Sequence, residues 1–255
     1  MTPWVRRLLI ANVVVFLATI SLPGLLPLLA LVPRDAWRMP WTPVTYMFVH
    51  GSFTHILFNM LVLFFFGSRL EMRLGSDRFV RLYLVSGLMG GVVSFLFKPG
   101  TPIIGASAAV FGVMLGFARY WPREKIYIWG VLPIEARWLV ILTTAFALAS
   151  VRFGFQAGVA HFAHLGGYLG GWLYLVYVDR QLERTRREWR QKVEAVPPTV
   201  KPRVLEALPV IDMSKVHPIN REEIERLVTK AREEGLESLS PSEKIFLSNF
   251  VAADG

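Results

Sequence analysis

The stretch His50-Gly-Ser-Phe-Thr-His55-Ile-Leu-Phe-Asn59-Met-Leu-Val-Leu-Phe-Phe-Phe-Gly67-Ser-Arg-Leu70 decides the fold. From Phe53 to Leu70 it is almost unbrokenly apolar, close to the roughly 20 residues that a helix needs to cross a hydrocarbon core of about 30 Å. Yet His55 and Asn59 interrupt it four residues apart, which puts them on one face of a helix. Strongly polar groups at membrane depth are costly and mark functional sites. The stretch predicts a membrane helix with a polar face turned toward other protein.

The rest of the 255-residue chain agrees. It is 53% apolar and 18% charged, with mean hydropathy +0.43 and no cysteine, whereas a soluble domain is about 45–50% apolar and about 25% charged. This excludes a disordered chain, a disulfide scaffold and thiolate metal sites. A net charge of +9 would suit a nucleic-acid binder. Residues 1–178, however, carry all of it, 14 basic against 5 acidic, scattered between apolar runs with no basic stripe. Nucleic acid is therefore not an expected partner.

Six apolar runs follow one another: Leu8 to about Leu31 (broken by Pro23, Gly24 and Pro27), Phe53–Leu70, Phe79–Phe97, Ile103–Phe117, about Leu132–Val151, and Val159–Val178. The expected fold class is an all-α polytopic membrane protein. Basic residues gather at Arg6 and Arg7, at Arg69 to Arg81, after the fourth run and after the sixth, so the positive-inside bias places both termini in the cytoplasm of a cell-membrane protein. That orientation needs the first run as a retained span and not as a cleaved leader. The fourth run is short and starts after Gly100, Pro102 and Gly105; backbone that opens at membrane depth must border protein or water, which hints at a cavity.

Two further clusters supply chemistry. Gly105-Ala106-Ser107-Ala108 opens the fourth run, with Gly112 and Gly116 following, and His161-Phe-Ala-His164-Leu-Gly-Gly167 opens the sixth, with Gly171 four residues on. Small residues at this spacing let helix backbones approach closely in membranes. If the two glycine faces meet, Ser107 comes within reach of His164, and a histidine base beside a serine is a known nucleophile arrangement. A serine in a first helical turn also has unpaired N–H groups and the positive dipole end beside it. Taken singly, Ser107 reads equally well as a helix cap, His55 as a satisfied buried histidine and Asn59 as interhelical glue.

Together, His50-x4-His55-x3-Asn59, Gly105-x-Ser107 and Ala163-His164-x2-Gly167-x3-Gly171 resemble the rhomboid intramembrane serine proteases over roughly residues 5–180. The resemblance implies a six-helix bundle, a catalytic Ser107–His164 dyad without an acidic third member, and an oxyanion site formed by the Ser107 N–H with His55 and Asn59. It further implies structural support from His50, Gly105, Gly167 and Gly171, with Phe111 packed on the His164 ring. No metal or other cofactor is implied. Substrates would be single-span membrane proteins cut near the outer face beside a small residue, reaching the site past the fifth span near Ala145–Leu148.

Two positions depart from the family pattern. Ala108 stands where glycine is usual, with a modest tightening of the oxyanion pocket expected. Trp37-Arg38 lies too far upstream of His50 to inherit the role of the family's Trp-Arg pair. Glu71-x3-Gly75 does match, and is expected to order the inner loop with Arg73. His161 reads as structural.

Other function classes fit less well. A His-lined metal channel lacks acidic partners in the runs, and a zinc protease lacks His-Glu-x-x-His. An inactive rhomboid-like binding protein is the main alternative, and retention of Ser107, His164, His55 and Asn59 argues against it. Beyond the membrane domain at 1–178, residues 179–203 form a basic linker suited to anionic lipid headgroups and broken by Pro197, Pro198 and Pro202. Residues 204–255 form an acidic helical tail, with Asn220/Glu223 and Ser240-Pro241 as helix starts, that reads equally well as docking a cytoplasmic partner or as a flexible solubilising extension.

Overall fold

Pro3 opens the first helix, a position where its missing N–H costs nothing, and α1 runs Pro3–Ser21 in the computed structural model. The structure describes residues 1–128, 131–153, 161–195 and 211–250. The chain divides into two compact units, Met1–Thr185 and Arg186–Gly255.

After α1 the Pro23-Gly24 break gives way to a short α2 (Leu25–Leu29) and a long loop holding 3-10 turns at Pro33–Asp35 and Tyr46–Phe48 around α3 (Thr42–Thr45). Ser52 caps α4 (Phe53–Val62) by accepting the His55 N–H at 3.2 Å. A π turn at Leu63–Gly67 joins α4 to α5 (Ser68–Leu74). This wider turn shifts the helical phase, so Glu71 meets α1 while His55 and Asn59 face the bundle interior. Gly75, at φ +81°, ends α5 and starts α6 (Ser76–Phe97). Then come α7 (Ser107–Tyr120), stopped just before Pro122, α8 (Ala136–Phe153) and α9 (His161–Ala195).

Three of these helices are long and apolar enough to cross a membrane: Pro3–Ser21, Phe53–Leu74 and Ser76–Phe97. The apolar helices Ser107–Tyr120 and Ala136–Val151 are shorter. Large apolar side chains such as Val14, Leu17, Phe65, Phe95 and Leu96 are exposed, an outer surface that suits lipid contact and not water.

The chain is mostly helical but not wholly so. Between α7 and α8, β1 (Lys125–Ile128) pairs antiparallel with β2 (Leu132–Glu135), Lys125 opposite Glu135 and Ile128 opposite Leu132. Leu132, read from sequence as the start of the fifth span, thus belongs to a strand, because Lys-Ile-Tyr-Ile alternates and is rich in β-forming residues. The first residues of the sixth run, 159 and 160, lie outside the described residues, as do Pro197, Pro198 and Pro202.

Glycines set the spacing of the central helices. A methyl on Gly167 of α9 would collide with the Ala108 carbonyl of α7, and one on Gly112 with the Ser86 hydroxyl of α6. A methyl on Gly171 would sit 2.9 Å from the Gly112 Cα, and one on Gly166 about as close to the Gly90 Cα, at 2.8 Å. Helices α6, α7 and α9 therefore touch backbone to backbone, the mode that small residues permit in membranes.

At the opposite end from the Ser107 turn, Glu71, only 2% exposed, caps α1. Its carboxylate accepts the N–H groups of Trp4 at 3.1 Å and Val5 at 3.0 Å, and the Ser76 hydroxyl at 2.7 Å. These are orphan donors of a helix start, satisfied by a group whose charge suits the dipole. Arg73 does not share this role. Two residues apart on a helix, the side chains diverge, and the Arg73 guanidinium lies 5.0 Å over the Tyr120 ring instead.

In the second unit, α10 (Pro218–Glu234) and α11 (Pro241–Ser248) enclose a small core of Val216, Ile224, Leu227, Ala231, Leu239 and Leu247. Ser240 and Glu243 form a reciprocal capping box at the start of α11. Asn220 does not cap α10, which starts two residues earlier at Pro218, where proline's fixed φ favours a first helical position; Glu223 pairs with Arg226 at 2.7 Å.

Two substitutions test this packing by thermal unfolding in detergent. Glu71→Ala strands buried N–H groups and should cost about 1–3 kcal/mol. Gly167→Ala should cost about 1–3 kcal/mol through overpacking, whereas Gly24→Ala, which meets open space, should change little. Equal melting temperatures for Gly167→Ala and Gly24→Ala would contradict the account.

Candidate active site

The site is assembled where the loop between α2 and α4 meets the first turn of α7. Leu31 and Ile103 exchange backbone hydrogen bonds at 3.1 and 2.8 Å, and the Gly105 N–H donates to the Tyr46 carbonyl at 2.9 Å. The Tyr46 hydroxyl in turn donates to the Gly87 carbonyl of α6 at 2.7 Å. These ties fix the short segment that delivers Ser107. Gly105 stands at φ +114°, a region that other residues rarely adopt. A methyl there would also lie 2.6 Å from the His55 Nε2, so the His55 ring rests directly on the backbone beside Ser107.

His50 is buried and braces the same segment. The Ala106 N–H donates to its Nε2 at 3.4 Å, which makes Nδ1 the protonated nitrogen, directed at the Phe48 carbonyl at 3.3 Å. The ring packs edge-on against His55, centroids 4.8 Å apart.

Ser107 is the first residue of α7, so the first-turn N–H groups have no intrahelical carbonyl to bond. Its Oγ lies 2.8 Å from the His164 Nε2. The His164 ring stacks on Phe111, one turn beyond Ser107, at 4.4 Å between centroids and 21° between planes. Phe111 contacts Tyr168 at 4.9 Å, and the Tyr168 hydroxyl shares a 2.6 Å hydrogen bond with Thr143 of α8. The His164 ring is thus oriented by aromatic packing backed by a hydrogen bond.

Beside the pair opens a cavity of about 520 Å³, lined by His55, Asn59, Ser107, Val110, Phe111 and Met114 among others. Asn59 spends one amide proton on the His55 carbonyl at 2.9 Å and carries a second. A hydroxyl within hydrogen-bond reach of an imidazole, at a helix N-terminus with further donors across a cavity, is an arrangement in which the imidazole can take the hydroxyl proton and the donors can meet developing negative charge.

The structure brings the expected catalytic, oxyanion and supporting residues to one region: Ser107 and His164 in contact, His55 against Gly105 with Asn59 lining the same cavity, His50 and Gly105 behind the serine, and Phe111, Gly167 and Gly171 fixing the histidine helix. One expectation needs correcting. The Ala108 methyl does not tighten the pocket. Side chains at successive helix positions diverge by about 100°, and this one faces Gly90 of α6, where a methyl would lie 2.6 Å from it.

Three contributors went unread in the sequence. Tyr46 is one and the Thr143–Tyr168 bond a second. The third is Asp179, which takes the Tyr120 hydroxyl at 2.9 Å and the Arg119 guanidinium at 2.6 Å. It ties the far end of α7 to α9, the two helices that carry Ser107 and His164.

The Rhomboid domain family model matches residues 37–181, a range that contains every residue of the site. Among curated proteins, the chain is 36% identical over 140 residues to RHOMBOID-like protein 4 of Arabidopsis thaliana, covering 54% of this chain and 33% of that protein. It is 30% identical over 144 residues to Rhomboid-like protease 3 of Toxoplasma gondii, covering 56% and 53%. It is 32% identical over 145 residues to Rhomboid protease GluP of Bacillus subtilis, covering 56% and 26%. The matches span between about a quarter and a half of the length of these relatives. With more than half of its length matched by the family model and with these relatives, the chain belongs to the rhomboid family.

Proposed function

We propose that the chain is an intramembrane serine endopeptidase that cuts transmembrane proteins with Ser107 as nucleophile and His164 as base. The observation that carries this reading is the 2.8 Å contact between the Ser107 Oγ and the His164 Nε2 beside a cavity that Ser107 lines. Two of the relatives are named proteases, which lends it support.

In this reading His164 Nε2 takes the hydroxyl proton as Ser107 Oγ attacks the scissile carbonyl carbon. The developing oxyanion is met by the Ser107 N–H, His55 and the second amide proton of Asn59. Protonated His164 then gives its proton to the leaving amine, and the peptide bond breaks to leave an acyl-serine. A water molecule, deprotonated by His164, hydrolyses that ester and restores the pair. No acidic residue serves as a third member; Phe111 holds the imidazole by stacking.

Six membrane spans, with α7, α8 and α9 added to the three long apolar helices, place both termini in the cytoplasm and the site near the outer face of the cell membrane. Residues 1–178 form the membrane domain, 179–203 a basic linker that meets lipid headgroups and 204–255 a cytoplasmic tail that takes a partner through α10 and α11. Substrates reach the cavity past α8, where Phe146 and Leu148 face outward and Thr143 supplies a polar tie to α9.

The competing reading is an inactive membrane-protein binder. The full chain in liposomes, with single-span substrates that carry small residues in a weak helix, separates the two. Cleavage by the wild type should vanish in Ser107→Ala and in His164→Ala and fall about 10²–10³-fold in His55→Ala. Undiminished cleavage in Ser107→Ala sinks the dyad, and binding without cleavage by the wild type supports the binder.

A further inference from the structure

Away from the Ser107 cavity, an apolar groove of about 500 Å³ runs between α6 and the loop that joins α2 to α4. One wall is the stripe Leu88, Val92 and Phe95 of α6, and the other is Leu31, Trp37 and Pro43. Gly91 forms part of its lining, so near the Leu31 side chain that a methyl would lie 3.0 Å from the Leu31 Cδ2.

One cation lines the groove and two lie next to its lining. The Arg34 N–H donates to the Pro99 carbonyl at 2.9 Å, and the Arg34 guanidinium lies over Gly100. Lys98 caps α6. Arg38 sits 4.9 Å over the exposed Trp37 ring. Against these three cations stands Asp35, which pairs with Arg34 at 3.5 Å and leaves that side chain 66% exposed. The groove is therefore mainly apolar, with Arg34 in its lining, Lys98 and Arg38 beside residues that touch or line it, and an exposed tryptophan, as at a membrane interface.

Two dimensions select the occupant. From Leu88 to Lys98 the helix rises about 15 Å at about 1.5 Å per residue, half of a hydrocarbon core of about 30 Å and so the depth of one leaflet. A transmembrane helix about 10 Å across would need about 1,200 Å³ over that length, more than the groove encloses. A single extended acyl chain fits.

We propose that this groove holds one anionic phospholipid, with its phosphate at Arg34 and Lys98, its headgroup level marked by Trp37, and one acyl chain laid along Leu88, Val92 and Phe95. The lipid covers the apolar wall of α6 and ties it to the loop between α2 and α4, whose Leu31 end is bonded to the segment before Ser107. The proposal rests on the chain lying in a membrane and not on the Ser107–His164 reading. Binding is measured without cleavage, so either can fail alone.

The test is native mass spectrometry of the full chain, released from detergent after incubation with phosphatidylglycerol, with phosphatidylcholine of the same acyl chains, or with a leucine-alanine transmembrane peptide. The wild type should retain one phosphatidylglycerol in preference to phosphatidylcholine. The double variant Arg34→Gln/Lys98→Gln should weaken phosphatidylglycerol by about tenfold or more and phosphatidylcholine by less, so that the preference between the two is lost. Val92→Trp, which fills the groove and keeps the cations, should lose both lipids. Equal retention of the two lipids by the wild type overturns the proposal even if a variant fails to fold. So does undiminished phosphatidylglycerol binding in folded variants, or capture of the peptide in place of lipid that is lost in Val92→Trp.

Discussion

The close approach of α9 to α7 at Gly167 and Ala108 is the constraint on which the rest of the site depends. Because nothing larger than hydrogen fits between Gly167 and the Ala108 carbonyl, the helix that carries His164 lies one turn's reach from the helix that begins at Ser107. Gly171 against Gly112 repeats the contact one turn further along, and Asp179 locks the far end through Tyr120 and Arg119. A side-chain pair held at 2.8 Å follows from two backbones that cannot slide. In a lipid environment, where apolar surface gives no preference for helix over lipid, such packing contacts and interhelical bonds are what set register.

The second support comes from the loop between α2 and α4. Tyr46, His50 and the Leu31–Ile103 bridge spend backbone hydrogen bonds on the residues just before Ser107. That is how non-helical backbone is tolerated at depth, by being satisfied from protein. Gly105 permits the turn, and the absence of its side chain lets His55 approach. Glu71 does comparable work at the other end of the bundle, where one buried carboxylate satisfies the start of α1.

Much of this was legible because it is local or periodic. His55 and Asn59 share a face by their four-residue spacing, and Gly167 and Gly171 do so by the same arithmetic. Ser107 is a helix start because Pro102 and Gly105 precede an apolar run. What the sequence hid is tertiary. Asp179 looks like the first residue of a polar linker until Arg119 and Tyr120, some 60 residues away, are seen to face it. Thr143 is one polar residue among apolar neighbours, and nothing local pairs it with Tyr168. Adjacency to Ser107 in sequence suggests that the Ala108 methyl belongs to the pocket, yet its direction is set by the helical turn, which sends it to Gly90. The π turn at Leu63–Gly67 has no periodic signature, and its phase shift is what separates the roles of Asn59 and Glu71 on one continuous helix.

The central claim is that the helix contact at Gly167 holds Ser107 and His164 as a reactive pair. Covalent modification by a fluorophosphonate, mapped to the residue by mass spectrometry with its rate followed, tests it most directly. The account predicts modification at Ser107, absent in His164→Ala and slowed by about 10²-fold in Gly167→Ala, where the pair is displaced by about 1 Å. Modification at another serine, or an unchanged rate in folded His164→Ala, would contradict it.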